Sequence, residues 1–389
     1  MWLPQSFGLT PYMPELPPLS LYVHIPWCVK KCPYCDFNSH ALSGGIPEEA
    51  YVDALLEDFD SEVTTIQGRE LHTIFFGGGT PSLMSAKGFD RFLSELEKRI
   101  RFSPHIEITM EANPGTYEHD RFRDYRKAGI NRLSLGVQSF QDEKLKALGR
   151  IHSSDEACKA IESLRGMGFD NFNIDLMHGL PDQSINDGLM DLQKAIALNP
   201  THISWYQLTI EPNTVFYSKT PILPEDDTLW SIQEEGWDLL DNAGYRQYEI
   251  SAYSQPGKQA RHNLNYWQFG DYIGIGAGAH GKITEQESGK IYRNWKTRVP
   301  SDYLAKDKPY EAGSRVLDVN DLPIEFMMNV LRLNQGVDIS LFQERTGMMF
   351  SDIESQCRQA IQKGLLEPDR LQPTKQGRLF LNNLLEIFS

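Results

Sequence analysis

Short apolar segments rich in β-branched residues alternate with amphipathic stretches over residues 20–250 of this chain. Segments of this length and composition favour β-strands, and the stretches between them favour helices. Six clear strand candidates are followed by a weaker one at residues 246–253. The clear strand candidates are residues 19–25, 71–76, 106–110, 132–137, 172–177 and 202–208.

The stretches between the strands show helical spacing and recognisable ends. Tyr51, Ala54, Leu55 and Phe59 recur at i, i+3, i+4 and i+8. The stretch SSDEACKAIESLRGMG begins with a serine cap and ends at Gly168. Strand–helix alternation predicts a parallel sheet with right-handed crossovers. Six such units predict an α/β fold with a partial (β/α)6 barrel, and a doubly wound open sheet is the alternative. Both place ligands at the carboxyl ends of the strands.

Helical patterns dominate after about residue 300, at 322–333, 339–346 and 349–363. The following segment, GLLEPDRLQPTKQGRLFLNNLLEIF, predicts two short strands around a turn and a final helix, which is typical of a winged-helix module. The predicted domains are therefore an extended N-terminal lead-in (1–18), the core barrel and its extension (19–300), and a smaller, mainly helical, winged-helix-like domain (301–389).

Composition and charge argue against several classes of partner and location for this protein. The formal net charge of −15 disfavours nucleic acid, because phosphate binding requires a basic face. No run of eighteen apolar residues is present, so no transmembrane helix is predicted. The first twenty residues contain five prolines and no Lys or Arg, unlike a secretory signal. We therefore expect a cytoplasmic protein. Five cysteines, three of them crowded together, argue against a disulfide framework.

The crowded cysteines directly follow the first strand candidate. Cys28, Cys32 and Cys35 have the spacing C-x3-C-x2-C, and three thiolates on one loop can converge on a single metal centre. Structural zinc sites normally have four protein ligands, often as two separated pairs, and no second pair follows here. A 4Fe-4S cluster held by three cysteines leaves one iron open to another ligand. A zinc site completed by His24 or His40 is the alternative.

This cysteine spacing at the end of a first strand resembles the radical S-adenosylmethionine (SAM) superfamily. The segment LYVHIPWCVKKCPYCDFNSH is similar to the branch that contains oxygen-independent coproporphyrinogen III oxidases and haem chaperones. The similarity continues through FFGGGTPS, EANP, GVQSF, LGRIH, DLMHGLP, HNLNYW and GIGAGAHG. The resemblance implies a 4Fe-4S cluster on the three cysteines, with SAM bound to the open iron and cleaved after one-electron reduction.

The other motifs lie at or just past the ends of predicted strands. The glycines of FFGGGTPS let the backbone approach a ligand closely. Arg150 is suited to a carboxylate, and Asp175 lies within an apolar strand, where an acid is costly unless partnered. The resemblance implies SAM contacts at Tyr22, Tyr34, Gly78, Gly79, Thr80, Glu111, Gln138, Arg150, Asp175, Thr209 and His280.

Two departures from the oxidase pattern separate the close relatives. The oxidase has a further cysteine two positions after the third, where this chain has Phe37. It also has a longer N-terminal extension, whereas here 27 residues precede Cys28. The motif H-N-x-x-Y-W, associated with the haem chaperones of this branch, offers an imidazole for iron and aromatic rings for the porphyrin face. Its residues are His262, Asn263, Tyr266 and Trp267.

The sequence thus supports three functional hypotheses. The first is a haem chaperone that binds haem b and delivers it to acceptor apoproteins such as respiratory enzymes. The second is the coproporphyrinogen oxidase, and the third is a scaffold with a purely structural cluster. No catalytic residue is assigned. The sequence does not decide whether SAM cleavage is part of the function or which protein accepts the haem. It also leaves open a homodimer and a transient peripheral contact with a membrane.

Overall fold

A computed structural model describes residues 16–42, 44–115 and 121–389. Most of the predicted lead-in, residues 1–15, lies outside them. The strands are β1 (Leu19–Ile25), β2 (Trp27–Cys28), β3 (His40–Ala41), β4 (Leu71–Gly78), β5 (Phe102–Ala112), β6 (Arg132–Gln138), β7 (Phe172–His178), β8 (His202–Gln207), β9 (Arg246–Glu249), β10 (Ala252–Ser254), β11 (Asp271–Ile275), β12 (His280–Thr284), β13 (Ile291–Lys296) and β14 (Glu311–Val316).

Helices connect these strands and fill the C-terminal region. They are α1 (Glu48–Ser61), α2 (Val63–Ile66), α3 (Ala86–Glu97), α4 (Phe122–Lys127), α5 (Asp142–Ala147), α6 (Ser154–Ser163), α7 (Ile185–Ala197), α8 (Val215–Ser218), α9 (Asp226–Asn242), α10 (Arg261–Trp267), α11 (Pro300–Tyr303), α12 (Leu322–Val330), α13 (Ser340–Thr346), α14 (Glu354–Gln362), α15 (Lys375–Leu379) and α16 (Leu381–Leu385). Short 3₁₀ turns cover Pro81–Leu83, Arg165–Met167 and Phe350–Asp352.

One large sheet organises the molecule, with the strand order β14-β13-β12-β11-β1-β4-β5-β6-β7-β8-β10-β9. The strands β1, β4, β5, β6, β7 and β8 are parallel and lie side by side in chain order. A doubly wound sheet would reverse its order near the middle. The predicted α/β class and partial barrel are therefore confirmed, and the sheet stays open because its end strands β14 and β9 are not neighbours.

Alternation of side chains along the strands explains why the barrel has a polar interior. In β7, Phe172, Ile174 and Leu176 are fully buried in the main hydrophobic core. Asn173 and Asp175 lie between them in sequence and therefore point to the opposite face. Because that face points into the barrel, polar residues that would be unfavourable in the helix-covered layer are gathered around a common interior.

The predicted helix starting after Ser153 has the expected ends. The Ser153 side chain accepts a hydrogen bond from the Glu156 backbone, and the Glu156 carboxylate accepts one from the Ser153 backbone. Such a capping box satisfies two amides that the helix itself leaves unpaired. Gly168 closes the segment with a φ of 91°, a conformation that favours glycine.

An extension of the sheet, β11 to β14, was not predicted from the pattern. β11 joins β1 in parallel, and the other strands follow as antiparallel neighbours. Buried ion pairs tie this extension to the barrel: the Lys296 ammonium lies 2.7 Å from Asp58 and 2.6 Å from Glu62 of the α1 segment. β14 lies in the predicted C-terminal region yet shares the sheet, and the boundary near residue 300 stays a prediction.

Two predicted elements differ from the structure. The single weak strand at 246–253 is instead two short antiparallel strands, β9 and β10, because the chain reverses direction after Glu249. In the C-terminal region, α12, α13 and α14 lie within the predicted helices. Single antiparallel bridges stand in place of the two predicted short strands; these bridges are Val337–Leu371 and Leu366–Pro373.

Candidate functional site

A cavity of about 560 Å³ lies at the carboxyl ends of the parallel strands, under the cysteine loop. This is the edge where the chain direction of a parallel α/β fold brings loop residues together. Of the residues predicted to hold the cluster and SAM, the cavity is lined by Cys28, Cys32, Tyr34, Cys35, Gly78, Gly79, Thr80, Glu111, Gln138, Arg150, Asp175 and Thr209.

The cysteine loop is fixed at both ends. Its first residues form β2, and the Trp27 carbonyl accepts a hydrogen bond of 2.7 Å from the Thr80 backbone amide. The Cys35 amide bonds to the Cys32 carbonyl across a turn at 3.2 Å, and all three thiols are free. Within the described residues, no three side chains of His, Cys, Asp or Glu are gathered tightly enough to hold a metal ion. The thiols thus share the cavity as separate groups.

The geometry does not support the zinc alternative. His24 is buried, and its ring nitrogens hydrogen-bond to the Tyr22 hydroxyl and the Asn38 carbonyl, each at 2.9 Å. Burial lowers the pKa of His24 to about 4. Nε2 of His40 lies 3.3 Å from Oδ1 of Asn38. Neither histidine lines the cavity, so neither supplies a fourth ligand to the thiols.

Two cations line the cavity, the exposed Lys30 and the half-buried Arg150, and Arg150 is the one held by hydrogen bonds beside the cysteines. Its guanidinium donates to the Gly136 carbonyl at 2.6 Å and to Oδ1 of Asn113, and it lies 3.7 Å from the sulfur of Cys32. A guanidinium so placed can receive a carboxylate beside the cysteines. Asn113 also donates to Thr80 at 3.3 Å. The EANP motif gave the position of Asn113, but the sequence did not identify it as the residue that orients Arg150.

Two half-buried acids, Glu111 and Asp175, line the cavity and interact electrostatically. Burial, and then the charge of Asp175, raise the pKa of Glu111 to about 8, so Glu111 is largely protonated at neutral pH. Burial also raises the pKa of Asp175, which accepts hydrogen bonds from Asn173 at 2.7 Å and Ser134 at 3.1 Å. A cationic ligand would favour the ionised forms of both acids. The sulfonium and ammonium groups of SAM meet that requirement, and the cavity therefore fits SAM in charge.

Gln138 reaches the cavity through an irregular strand end. The pairing of β6 with β7 shifts register between Gly136 and Gln138, and Gln138 has a φ of 72°. Such a conformation costs a non-glycine residue about 1–3 kcal/mol, and strain of this kind concentrates at functional sites. Oε1 of Gln138 accepts a hydrogen bond from the Tyr206 hydroxyl at 3.0 Å. Tyr206 lines the same cavity and was not predicted, although it lies at the end of the strand candidate 202–208.

The loop after Gln138 is held by a buried acid, which predicts a pH effect on stability. Asp191 accepts hydrogen bonds from the Ser139 hydroxyl at 2.7 Å and the Phe140 amide at 2.8 Å, but burial raises its pKa to about 6. Between about pH 4 and 6 the folded chain therefore binds a proton that the unfolded chain releases. We expect this contribution to stability to grow by about 1 kcal/mol as the pH falls from 7 to 5.

Urea unfolding of cluster-free wild type and Asp191→Asn at both pH values measures the effect. The asparagine keeps an acceptor for the Phe140 amide but does not titrate. We expect the free energy of unfolding of wild type, relative to that of the variant, to be about 1 kcal/mol higher at pH 5 than at pH 7. A difference that stays constant with pH would show that Asp191 does not titrate in this window.

Two predicted SAM contacts, Tyr22 and His280, are not among the residues that line the cavity. Tyr22 lies on β1 with its ring stacked near Phe75, at a centroid distance of 6.3 Å. His280 is exposed at the start of β12. Their contacts with SAM stay predictions.

The H-N-x-x-Y-W motif forms most of α10, which lies near the amino ends of β1 and β4. His262 is buried: Nδ1 lies 2.8 Å from the Thr73 hydroxyl, and its backbone amide donates to Glu107 at 3.1 Å. Burial lowers the pKa of His262 to about 3. His262 thus contributes to the floor of the barrel, at the end opposite the cavity. Ligation of haem by this residue stays a prediction.

The other motif residues point elsewhere. Tyr266 packs against Tyr272 of β11 at a ring distance of 5.1 Å. Trp267 lies under the Arg332 guanidinium at 4.2 Å and packs against the C-terminal core, and Asn263 is half-buried. The structure therefore does not bring the four motif residues together around one pocket.

Comparison with known families agrees with this fold and cavity. A sequence model described as "Radical SAM superfamily" matches residues 22–193, and one described as "HemN C-terminal domain" matches residues 317–380. Fold, cysteine loop and cavity together define a protein of the radical SAM class.

The curated relatives are more specific. The chain is 55% identical to a protein of Escherichia coli named "Heme chaperone HemW", over 97% of this chain and 99% of the relative. Relatives of the same name from Haemophilus influenzae and Lactococcus lactis are 52% and 34% identical, over 97% and 95% of this chain and 99% and 97% of theirs. The chain therefore belongs to the HemW family of the radical SAM superfamily.

Among solved structures, the coproporphyrinogen III oxidase HemN of Escherichia coli matches with a TM-score of 0.80 and 24% identity, over 96% of this chain and 90% of the other. This match confirms the fold. Across the described ranges, the helices are all too short or too polar to cross a membrane.

Proposed function

We propose that the chain binds haem b and delivers it to acceptor apoproteins such as respiratory enzymes. The observation that carries this proposal is the full-length similarity to proteins named heme chaperones, which extends over both ends of the sheet and the C-terminal region. The protein acts in the cytoplasm, and a homodimer or a transient contact with the membrane surface is compatible with its delivery role.

The cavity would hold the cluster and SAM. Cys28, Cys32 and Cys35 would be the cluster ligands, since three free thiols on one fixed loop leave an iron open for SAM. When bound, this pair supplies one-electron reductive chemistry. The chain itself would contribute Arg150 as the partner of the SAM carboxylate and two half-buried acids, Glu111 and Asp175, for the cationic groups of SAM.

The oxidase alternative has less support. The position of a fourth cysteine is occupied by Phe37, whose side chain is 58% exposed at the cavity. The remaining cysteines, Cys158 and Cys357, are not among the cavity residues. Anaerobic incubation with reductant, SAM and coproporphyrinogen tests the alternative, and formation of the decarboxylated product would establish it. A purely structural cluster would give no 5′-deoxyadenosine from SAM.

Haem titration tests the main proposal. Because a chaperone must hold its cargo until transfer, we expect a Soret shift that saturates at one haem per chain at micromolar protein. Transfer is then measured by adding a haem-free acceptor and following recovery of its activity. The Cys32→Ala variant is a useful comparison, since it separates haem binding from any role of the cluster in transfer. Absence of a Soret shift in wild type would exclude the chaperone function.

A further inference from the structure

Outside the cavity, one row of residues crosses the sheet extension on the inner face of the barrel. Tyr22 of β1 pairs with Gly274 of β11, and the backbone of His280 on β12 lies directly against Gly274. His280 in turn pairs with Trp295 of β13, and Trp295 pairs with Gly313 of β14. Residues directly opposite each other on neighbouring strands share a face. We call these five residues the His280 row.

The row is open around its histidine. Gly274 is the neighbour of His280 on β11, and Gly313 is the neighbour of Trp295 on β14. Neither glycine has a side chain that could cover the imidazole. A Cβ atom at Gly313 would lie 2.5 Å from the indole of Trp295, which shows that the indole lies across this glycine. An aromatic ring beside an uncovered imidazole is a suitable surface for a flat, conjugated ligand.

His280 is also one of the few accessible histidines. Among the described histidines, only His280 and His105 are exposed, while His40 and His72 are half-buried and the rest are buried. His105 lies near the start of β5, toward the end of the barrel opposite the cavity. Of the two exposed histidines in the described ranges, His280 is therefore the one on the cavity side of the barrel, whereas His262 is enclosed in the barrel floor.

Two cations complete the surface. Although His280 is exposed, partial desolvation of its ring lowers its pKa, and the nearby charges of Arg298 and Arg293 lower it further, which favours the neutral imidazole that ligates metals. Arg293 already pairs with Glu325 at 2.8 Å. Arg298 is exposed, and its side chain has no ion pair within the described residues. In a chain with a net charge of −15, an uncommitted guanidinium beside an accessible histidine favours a ligand with carboxylates.

The row connects the cavity with the H-N-x-x-Y-W motif. The Arg298 carbonyl accepts a hydrogen bond of 2.8 Å from Asn38, whose neighbour Phe37 lines the cavity. Two positions along β11 from Gly274, and so on the same face, the Tyr272 hydroxyl accepts a hydrogen bond of 2.9 Å from Arg293, and its ring packs against Tyr266 of the motif.

We propose that haem docks on the His280 row, with the His280 imidazole as a ligand of the iron and Arg298 pairing with a propionate. This site rests on the proposed haem-binding function and specifies where the cargo lies. The H-N-x-x-Y-W motif then acts through Tyr266, which supports the surface from below, while His262 anchors α10 in the barrel floor.

Haem titration of H280A, R298E and the matched surface control H105A tests the site. We expect H280A to bind ferric haem at least about tenfold more weakly, about 1.4 kcal/mol, and to lose the electron paramagnetic resonance signature of an imidazole ligand. Added imidazole should restore that signature. R298E should weaken binding while keeping the signature, and H105A should match wild type. Circular dichroism checks that each variant is folded.

The outcomes separate the two proposals. Wild type that binds no haem would overturn the proposed function and this site together. Haem bound by H280A with unchanged affinity and spectrum would overturn the His280 site and leave the chaperone function standing. The same holds if H280A loses affinity for SAM and keeps that for haem, since His280 would then be the SAM contact implied by the family resemblance.

Discussion

Cys32→Ala is expected to leave the protein with iron and acid-labile sulfide near background after anaerobic reconstitution. A cluster that uses three cysteines as its whole protein ligand set keeps two after this change, and its open iron gains no replacement thiol. The other described cysteines, Cys158 and Cys357, lie outside the cavity. Loss of a group that only orients a metal ligand commonly lowers the metal affinity by about 10–100-fold. Loss of a ligand itself should lower the affinity further.

The substitution should not disturb the fold. Cys32 is only half-buried, and its sulfur makes a long contact of 3.7 Å with the Arg150 guanidinium. Far-ultraviolet circular dichroism of the cluster-free proteins is therefore expected to be the same. Cys158→Ala is the matched control, because Cys158 is also half-buried but lies on α6 away from the cavity. Full iron and sulfide in the Cys32 variant would exclude the three-cysteine cluster.

The barrel strands could be predicted because their sequences carry two signals at once. In β1 and β7, apolar residues that face the helices alternate with polar residues that face the interior. The carboxyl-end rule then places the following loops around one cavity. This reasoning, with the family motifs, located Glu111, Arg150 and Asp175. It missed Asn113 and Tyr206, because their roles depend on contacts across strands that no single segment encodes.

The sheet extension could not be predicted for a different reason. Its first strand and the turn after it read DYIGIGAGAHG, in which glycines suggest a loop. In the structure Gly274 is required within the strand, since a Cβ atom there would lie 2.0 Å from the His280 carbonyl oxygen. The glycine that weakens the strand pattern is thus what permits the strand pair. The position of the H-N-x-x-Y-W motif was also not predictable, because its sequence does not reveal that His262 is buried in the barrel floor.

Lys296→Met is expected to destabilise the protein by about 3–5 kcal/mol, the usual cost of removing one partner from a buried ion pair. The ammonium is 1% exposed and lies between the carboxylates of Asp58 and Glu62, whose side chains are 0% and 7% exposed. Methionine fills a similar volume without charge, so the change leaves two acids buried with no cation. Asp58 also accepts a hydrogen bond of 2.7 Å from Tyr303 of α11, so a change at Asp58 should weaken the packing of that helix as well.

Urea unfolding followed by circular dichroism measures this loss as a lower midpoint. Lys306→Ala is the matched control, because that lysine is exposed and lies 3.6 Å from Glu57, and exposed pairs contribute about 0–1 kcal/mol. Acidification provides a second check. Burial raises the pKa of Asp58 and the Lys296 ammonium opposes that rise, so without the ammonium the folded protein binds a proton at Asp58 more readily and the deficit should shrink as the pH falls toward 5. A Lys296→Met midpoint equal to wild type would mean that these ion pairs do not hold the sheet extension, and with it the His280 row, to the α1 segment.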